Sequence, residues 1–277
     1  MINKRNFVKN KSHFLILACM ALVSVSAQAG RPFNLPANAT QIARDIYDLG
    51  TGMHDGEQIR GYAFIHRKDE AARPSNPGGG NKKDNTSGST CYTFIGNGAK
   101  WKTAEDYIID STNLSGMSQS YVENGITTAT GLWENEVPGV NIFGNHVAGT
   151  VDGADTSTPL DDKNEIYFAD IIDPAIDSNN TIAVTVVWGV FTGPTRNRRL
   201  VEWDQVYNEA FTFGDASSNT GIMDFLGIAA HEVGHAAGMG HPDSSCTEET
   251  MYAYASSGET NKRDLNDGDK AGIKALY

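Results

Sequence analysis

Residues 231–241, HEVGHAAGMGH, constrain this chain more than any other part of it. Three histidines, a glutamate and a glycine stand there at spacings that agree with one another only if the histidines hold one metal ion. On a helix, His231 and His235 are four apart and share a face one turn from each other, so both imidazoles reach the same point. Gly238, three residues past the second histidine, can adopt positive φ, end the helix and turn the chain back. That turn delivers His241 as a third ligand. Three neutral imidazoles suit zinc and leave one tetrahedral position for water, whose pKa then falls to roughly 7. Glu232 stands beside the pair as a general base that takes the water's proton during attack on a carbonyl and returns it to the leaving amine. The pattern predicts a helix over residues 222–237, with Ile222, Phe225, Leu226, Ala229 and Val233 facing a core.

The full pattern, H-E-x-x-H-x-x-G-x-x-H followed by a methionine turn, resembles the metzincin metallopeptidases, the turn here being Thr250-Met251-Tyr252-Ala253-Tyr254. The resemblance implies that Met251 lies beneath the three histidines as a hydrophobic floor. Its details are most similar to the matrixins and their prokaryotic relatives. Tyr252 follows the methionine directly, and the tail resembles the closing matrixin helix through Leu265, Asp269, Gly272, Ile273, Leu276 and Tyr277. There are departures. Pro242 and Asp243 follow the third histidine where a matrixin usually has serine, and Ala253 stands where proline would follow the Met-Tyr pair. Ala253 also takes the position of the zinc-binding tyrosine of astacins and serralysins, which argues against a tyrosine ligand.

The resemblance is specific over residues 181–277. It implies an α+β fold: a twisted mixed sheet with a zinc-bearing active-site helix, a Met turn and a C-terminal helix. It also implies a zinc-dependent endopeptidase that hydrolyses internal peptide bonds of protein or peptide substrates through a zinc-activated water. A strand just before the zinc helix would form the upper edge of the cleft and pair with an extended peptide; residues 183–190 are the candidate. The alternative from another class is a catalytically silent, zinc-stabilised extracellular protein-binding module on the same fold. Glu232 favours the enzyme, because a silent module gains nothing from a carboxylate at that position.

Lys4, Arg5, Lys9 and Lys11 precede an apolar run, residues 14–25, and Ala27-Gln28-Ala29 supplies small residues for cleavage. This reads as a signal peptide cut after Ala29, so the product is expected to be secreted, with the periplasm as a second destination. The run is short for a bilayer span and no second one of that length follows, so no transmembrane anchor is expected. Cleavage removes four basic and no acidic residues and takes the formal charge from −12 to −16. A chain this acidic disfavours nucleic acid or an anionic membrane as partner. A monomer is expected.

Cys91 and Cys246 then remain, and one disulfide is the simplest arithmetic for an exported chain. A competing reading stays open in which the Cys91 thiolate blocks the zinc, as in many matrixins. Its surroundings, Ser89-Thr90-Cys91-Tyr92-Thr93, lack the arginine, glycine and proline of that switch. Matrixins often bind calcium, and Asp152-Gly153-Ala154-Asp155 and Asp161-Asp162 are acid-rich candidates without EF-hand spacing. Asp204 and Asn208 are calcium or loop-fixing residues, with turn chemistry the simpler account. His54, His66 and His146 are dispersed, and no second, structural zinc is expected.

Residues 73–90 (RPSNPGGGNKKDNTSGST) have linker composition. They divide the exported chain into residues 30–72, a prosegment or N-terminal extension too small to bury much core alone, and residues 91–277, the catalytic domain. The first part holds a helical candidate, residues 40–49, and a strand candidate, 62–66. Beyond the linker, Ser120 and Glu123 have capping-box spacing ahead of an amphipathic helix carrying Tyr121, Val122, Ile126, Ala129, Leu132 and Trp133. Strands are expected at 141–143, 165–171, 183–190 and 200–207, with 192–199 as a hairpin-like connection.

Overall fold

The computed structural model describes residues 31–68 and 90–277. The signal-peptide reading, and the linker reading for all but its last residue, lie outside the described residues.

In chain order, strands β1 (Thr40–Ala43), β2 (Ile46–His54) and β3 (Glu57–Lys68) are followed by β4 (Thr93–Phe94), β5 (Glu105–Ile109) and helix α1 (Gln119–Glu134). Next come β6 (Phe143–His146), β7 (Asn164–Ala169), β8 (Thr181–Val190), β9 (Arg199–Asn208), β10 (Phe213–Gly214) and β11 (Met223–Asp224). Helix α2 (Phe225–Ala236), β12 (Met239–Gly240), β13 (Tyr254–Ala255) and helix α3 (Asp267–Leu276) complete the chain. Nine of these strands form one mixed sheet in the order β1-β2-β3-β8-β9-β7-β5-β6, with β13 alongside β3. β6, β5, β7 and β9 are parallel neighbours. β8, β3, β2 and β1 continue the sheet antiparallel. A mixed sheet with three helices is the α+β class expected, compatible with a matrixin-type fold.

Alternation along the strands divides the core between the two faces. Ile59, Ala63 and Ile65 of β3 join Val184, Val186 and Trp188 of β8 on one face. On the other, Phe64 of β3 and Ala183 and Val187 of β8 join Val122, Ile126 and Trp133 of α1 and Phe225, Ala229 and Val233 of α2. Helix α2 is apolar almost all round, as a helix buried between a sheet and a second helix must be. Among the described residues, no helix is long and apolar enough to cross a membrane.

Four local expectations are corrected. Residues 40–49 form β1, a turn and the start of β2, not a helix. Ile42 is 55% exposed while Tyr47 and Leu49, two apart, are buried, the alternation of a strand; pairing with β3 outweighs local propensity. Helix α1 is capped by Ser118, whose Oγ accepts from Tyr121 N at 3.2 Å, rather than by Ser120. Asn113 fixes that entry by accepting from Met117 N at 3.0 Å. Helix α2 begins at Phe225 rather than 222, because the Asp224 carboxylate accepts from Gly227 N at 2.9 Å and because Met223 and Asp224 pair with β10. Finally, β8 has no free edge. β9 lies on one side and β3, from the N-terminal segment, on the other.

Candidate active site

Helix α2 carries His231, Glu232 and His235 in a fully buried run. Two indoles fasten it to its surroundings: Trp133 Nε1 donates to Ala230 O at 2.9 Å, and Trp101 Nε1 to Ala236 O, at the helix end, at 2.7 Å. The helix ends at Gly238, whose φ of 102° side chains rarely adopt. A Cβ there would also approach Ala99 O at 2.7 Å. The chain then turns into β12, which pairs antiparallel with β4. That pairing places His241 immediately after it, and Thr93 Oγ1 donates to His241 O at 2.8 Å.

The result is a triangle of imidazole nitrogens. The Nε2 atoms of His231, His235 and His241 lie 3.1 to 3.2 Å apart. His231 Nδ1 donates to Thr250 O at 2.7 Å and His235 Nδ1 to Met239 O at 2.9 Å. A carbonyl only accepts, so in the neutral rings the proton sits on Nδ1 and the Nε2 lone pair is free. Converging lone pairs repel one another unless a cation lies between them, so the donor set fits a metal ion. Burial holds all three imidazoles in the neutral, ligating form: His235 is lowered to about 3, and His231 and His241 well below their usual range.

Glu232 is wholly buried next to this triangle. Its Oε2 accepts from Thr185 Oγ1 at 2.6 Å and its Oε1 from His66 Nδ1 at 2.9 Å. Burial pushes its carboxyl up to about 8, partly offset by the Thr185 bond. Met251 is buried against α2, where Gly234 makes room: a Cβ on Gly234 would lie 2.2 Å from Met251 Sδ and 2.6 Å from the Trp133 ring. The turn is pinned from helix α3, whose Asp269 carboxylate accepts from Thr250 N at 2.7 Å and Met251 N at 3.1 Å. Ala253 brings no phenol to the site, and the Tyr254 hydroxyl donates to Asp45 at 3.0 Å.

Cys91 and Cys246 are joined in a disulfide. The Cys91 sulfur is thereby committed to Cys246, which ties the chain just before β4 to the loop between His241 and Met251. The dispersed histidines separate. His54 faces Asp55 and Asp162, and His146 stacks on Tyr107. His66, set aside in the sequence, enters the site: its ring stacks on His231 with centroids 3.7 Å apart. Phe64, two residues earlier on the same face of β3, stacks on His235 at 4.5 Å. Thr185 was missed too. No spacing in the chain links residues 64, 66 and 185 to the motif; strand parity alone could have shown that Phe64 and His66 share a face.

The acidic segments also converge. Carboxylate oxygens of Asp155, Asp161 and Glu202 lie within 4.8 Å of one another, as do those of Asp152, Asp161 and Glu165. Lys163 bonds Asp152 and Asp161. Glu202 Oε2 accepts from Asp162 N at 2.8 Å, while the buried Oε1 has no partner. Asp204 is a loop-fixing residue, accepting from Asp155 N at 2.8 Å and Glu165 N at 3.0 Å. Asn208 likewise accepts from Ala210 N at 3.1 Å and donates to Thr181 O at 2.7 Å.

The family model of the matrixins matches residues 180–277, from the strand β8 through α2 and the Met251 turn to α3. No curated protein matches the chain. Over that span the chain is similar to the matrixins, a family of zinc-dependent metallopeptidases, as its histidine motif and methionine turn implied.

Proposed function

We propose that this chain is a secreted zinc endopeptidase that hydrolyses internal peptide bonds of proteins. The observation that carries this reading is the Nε2 triangle of His231, His235 and His241 with Glu232 beside it. His231, His235 and His241 would hold the ion, with Met251 packed beneath. When bound there, zinc supplies a positive charge that acidifies water and polarises the scissile carbonyl. Glu232 is the general base: its carboxylate takes a proton from the attacking water and hands it to the nitrogen of the leaving amine. Thr185 orients that carboxylate through Oε2, so the proton-accepting oxygen has a fixed direction. The Nδ1 bonds to Thr250 O and Met239 O hold the His231 and His235 rings in the tautomer that leaves Nε2 for the metal.

Glu232 is also what separates this reading from a silent zinc-stabilised binding module, which needs the three imidazoles but no buried carboxylate. A buried carboxylate raised towards neutrality fits a group that exchanges protons during turnover. Export rests on the sequence of residues 1–29, and a disulfide between Cys91 and Cys246 fits an oxidising compartment. Residues 91–277 form the catalytic domain, acting as a monomer on protein or peptide substrates.

Calcium is the second cation in this reading, at Asp155, Asp161 and Glu202. The unpartnered, buried Glu202 Oε1 supports it, because an acceptor of that kind is costly unless a cation or proton meets it.

The experiment is mass spectrometry of the secreted product incubated with a peptide library, with and without a chelator. It reads the mature N-terminus, cleavage and side-chain preference together. Chelator-sensitive cuts at internal bonds, restored by zinc, are expected; cleavage that persists without metal would sink the assignment.

A further inference from the structure

Two walls face each other across the histidine triangle, and the chain has put its own strand between them. One wall is β8, which carries Thr185 towards Glu232. The other is the stretch after Met251, residues 253–255. β3 runs antiparallel to β8, with Phe64 opposite Thr185, Ile65 opposite Val184 and His66 opposite Ala183. At its end it turns to the second wall and runs parallel to β13, with Arg67 N donating to Ala253 O at 3.0 Å. An extended peptide threaded through a cleft makes these same ladders.

The side chains of β3 then cover the chemistry. Phe64 lies on His235 and His66 on His231, while His66 Nδ1 occupies Glu232 Oε1. His231, Glu232 and His235 are all inaccessible as a result of this packing and their place in α2. His241 alone of the three is partly exposed, and the pocket beside it is lined in part by residues 43–46 of the same N-terminal segment. Asp45 clamps the arrangement, accepting from Arg67 Nε at 2.6 Å and from the Tyr254 hydroxyl at 3.0 Å. Arg44 lies over the Tyr254 ring at 5.1 Å.

We propose that residues 31–68 are an intramolecular inhibitor of this site: β3 occupies the peptide groove between β8 and residues 253–255, and His66 holds the general base Glu232. The inference rests on the peptidase reading above. His66 acts on the carboxylate and not on the metal position, since its nitrogens group with His231 and Glu232 but not with His235 and His241. The mechanism therefore differs from a thiolate placed on the metal, and Cys91 is committed elsewhere. Residues 73–90, of linker composition, join the inhibitor to residues 91–277 in sequence.

The test uses the whole chain from residue 30, loaded with one equivalent of zinc, its intactness checked by mass. Two readouts are taken: binding of a peptide hydroxamate by calorimetry, which reports access to the groove, and turnover of a quenched fluorescent peptide. A tethered strand acts at an effective concentration in the millimolar range, so a segment of about 10 μM intrinsic affinity suppresses both by about 100-fold. The intact chain is expected to bind the hydroxamate weakly and turn over slowly, and Phe64→Ala/His66→Ala to raise both at least about tenfold. Tight hydroxamate binding and full turnover by the intact chain overturn the inference while leaving the peptidase reading in place, and this arm needs no variant to fold. A variant that folds but gains neither hydroxamate binding nor turnover also overturns it. If the variant gains hydroxamate binding but no form of the chain cuts peptide, the occlusion stands and the peptidase reading fails.

Discussion

His66 and Glu232, 166 residues apart in the chain, share a fully buried hydrogen bond of 2.9 Å. It joins the N-terminal segment to the one carboxylate that the motif places beside the histidine triangle. The other oxygen of that carboxylate is held by Thr185 at 2.6 Å, so every strong contact of Glu232 is a designed constraint on where its proton can go.

Glu232→Gln should retain one zinc per chain and lose turnover by about 10²- to 10⁴-fold, the usual contribution of a positioned general base. His235→Ala should lose zinc and turnover together. Metal analysis alongside a peptide assay separates the two cases. Wild-type turnover in Glu232→Gln would remove the mechanism.

Gly234→Ala tests the packing under the site. The new methyl would meet Met251 Sδ at 2.2 Å and the Trp133 ring at 2.6 Å, and neither group has room to retreat from a filled core. Overpacking of this kind costs about 1–3 kcal/mol. Urea unfolding should show it as a lower midpoint at unchanged slope; an unchanged midpoint would mean that Met251 is not held against the helix.

Breaking the Cys91–Cys246 bond, which closes 155 residues of sequence separation, should destabilise the chain by about 2–5 kcal/mol. The double serine variant, compared with the oxidised chain by denaturant titration, gives the value. Thiol titration of the chain from residue 30 under denaturing, non-reducing conditions should find no free thiol.

Glu202 makes stability depend on pH in the metal-free chain. Burial and the neighbouring acids push its carboxyl from about 4.5 up to about 10, so the folded state binds more protons than the unfolded state between those values. Stability is then fully present below about 4.5 and is lost as pH rises towards 10. With a calcium chelator present, the melting temperature should fall between pH 5 and 9; excess calcium should remove most of that fall. A melting temperature indifferent to calcium across the range would rule out the cation site at Asp155, Asp161 and Glu202.

The legible parts of this protein share one property: they are local. The i, i+4 histidines, Gly238 with its positive φ, the apolar stripe of α1 from Val122 to Trp133 and the closing helix with Asp269 all express helix geometry or a single turn, so a window of about a dozen residues contains them. The strands 183–190 and 200–207 were visible for the same reason, through apolar runs. Residues 40–49 misled because their spacing suits a helix, and only the partner strand β3 decides otherwise.

By itself, the sequence pointed to the metal chemistry: His231, Glu232 and His235 stand at helical spacing, and Gly238 ends the helix so that a turn brings His241 back to them. The tertiary structure decided what surrounds that point. The pairings of β3 with β8 and with β13 join segments more than a hundred residues apart, and no periodicity encodes them. Only the folded chain shows that β8 has no free edge, that Phe64 and His66 lie over His235 and His231, and that Asp155, Asp161 and Glu202 converge.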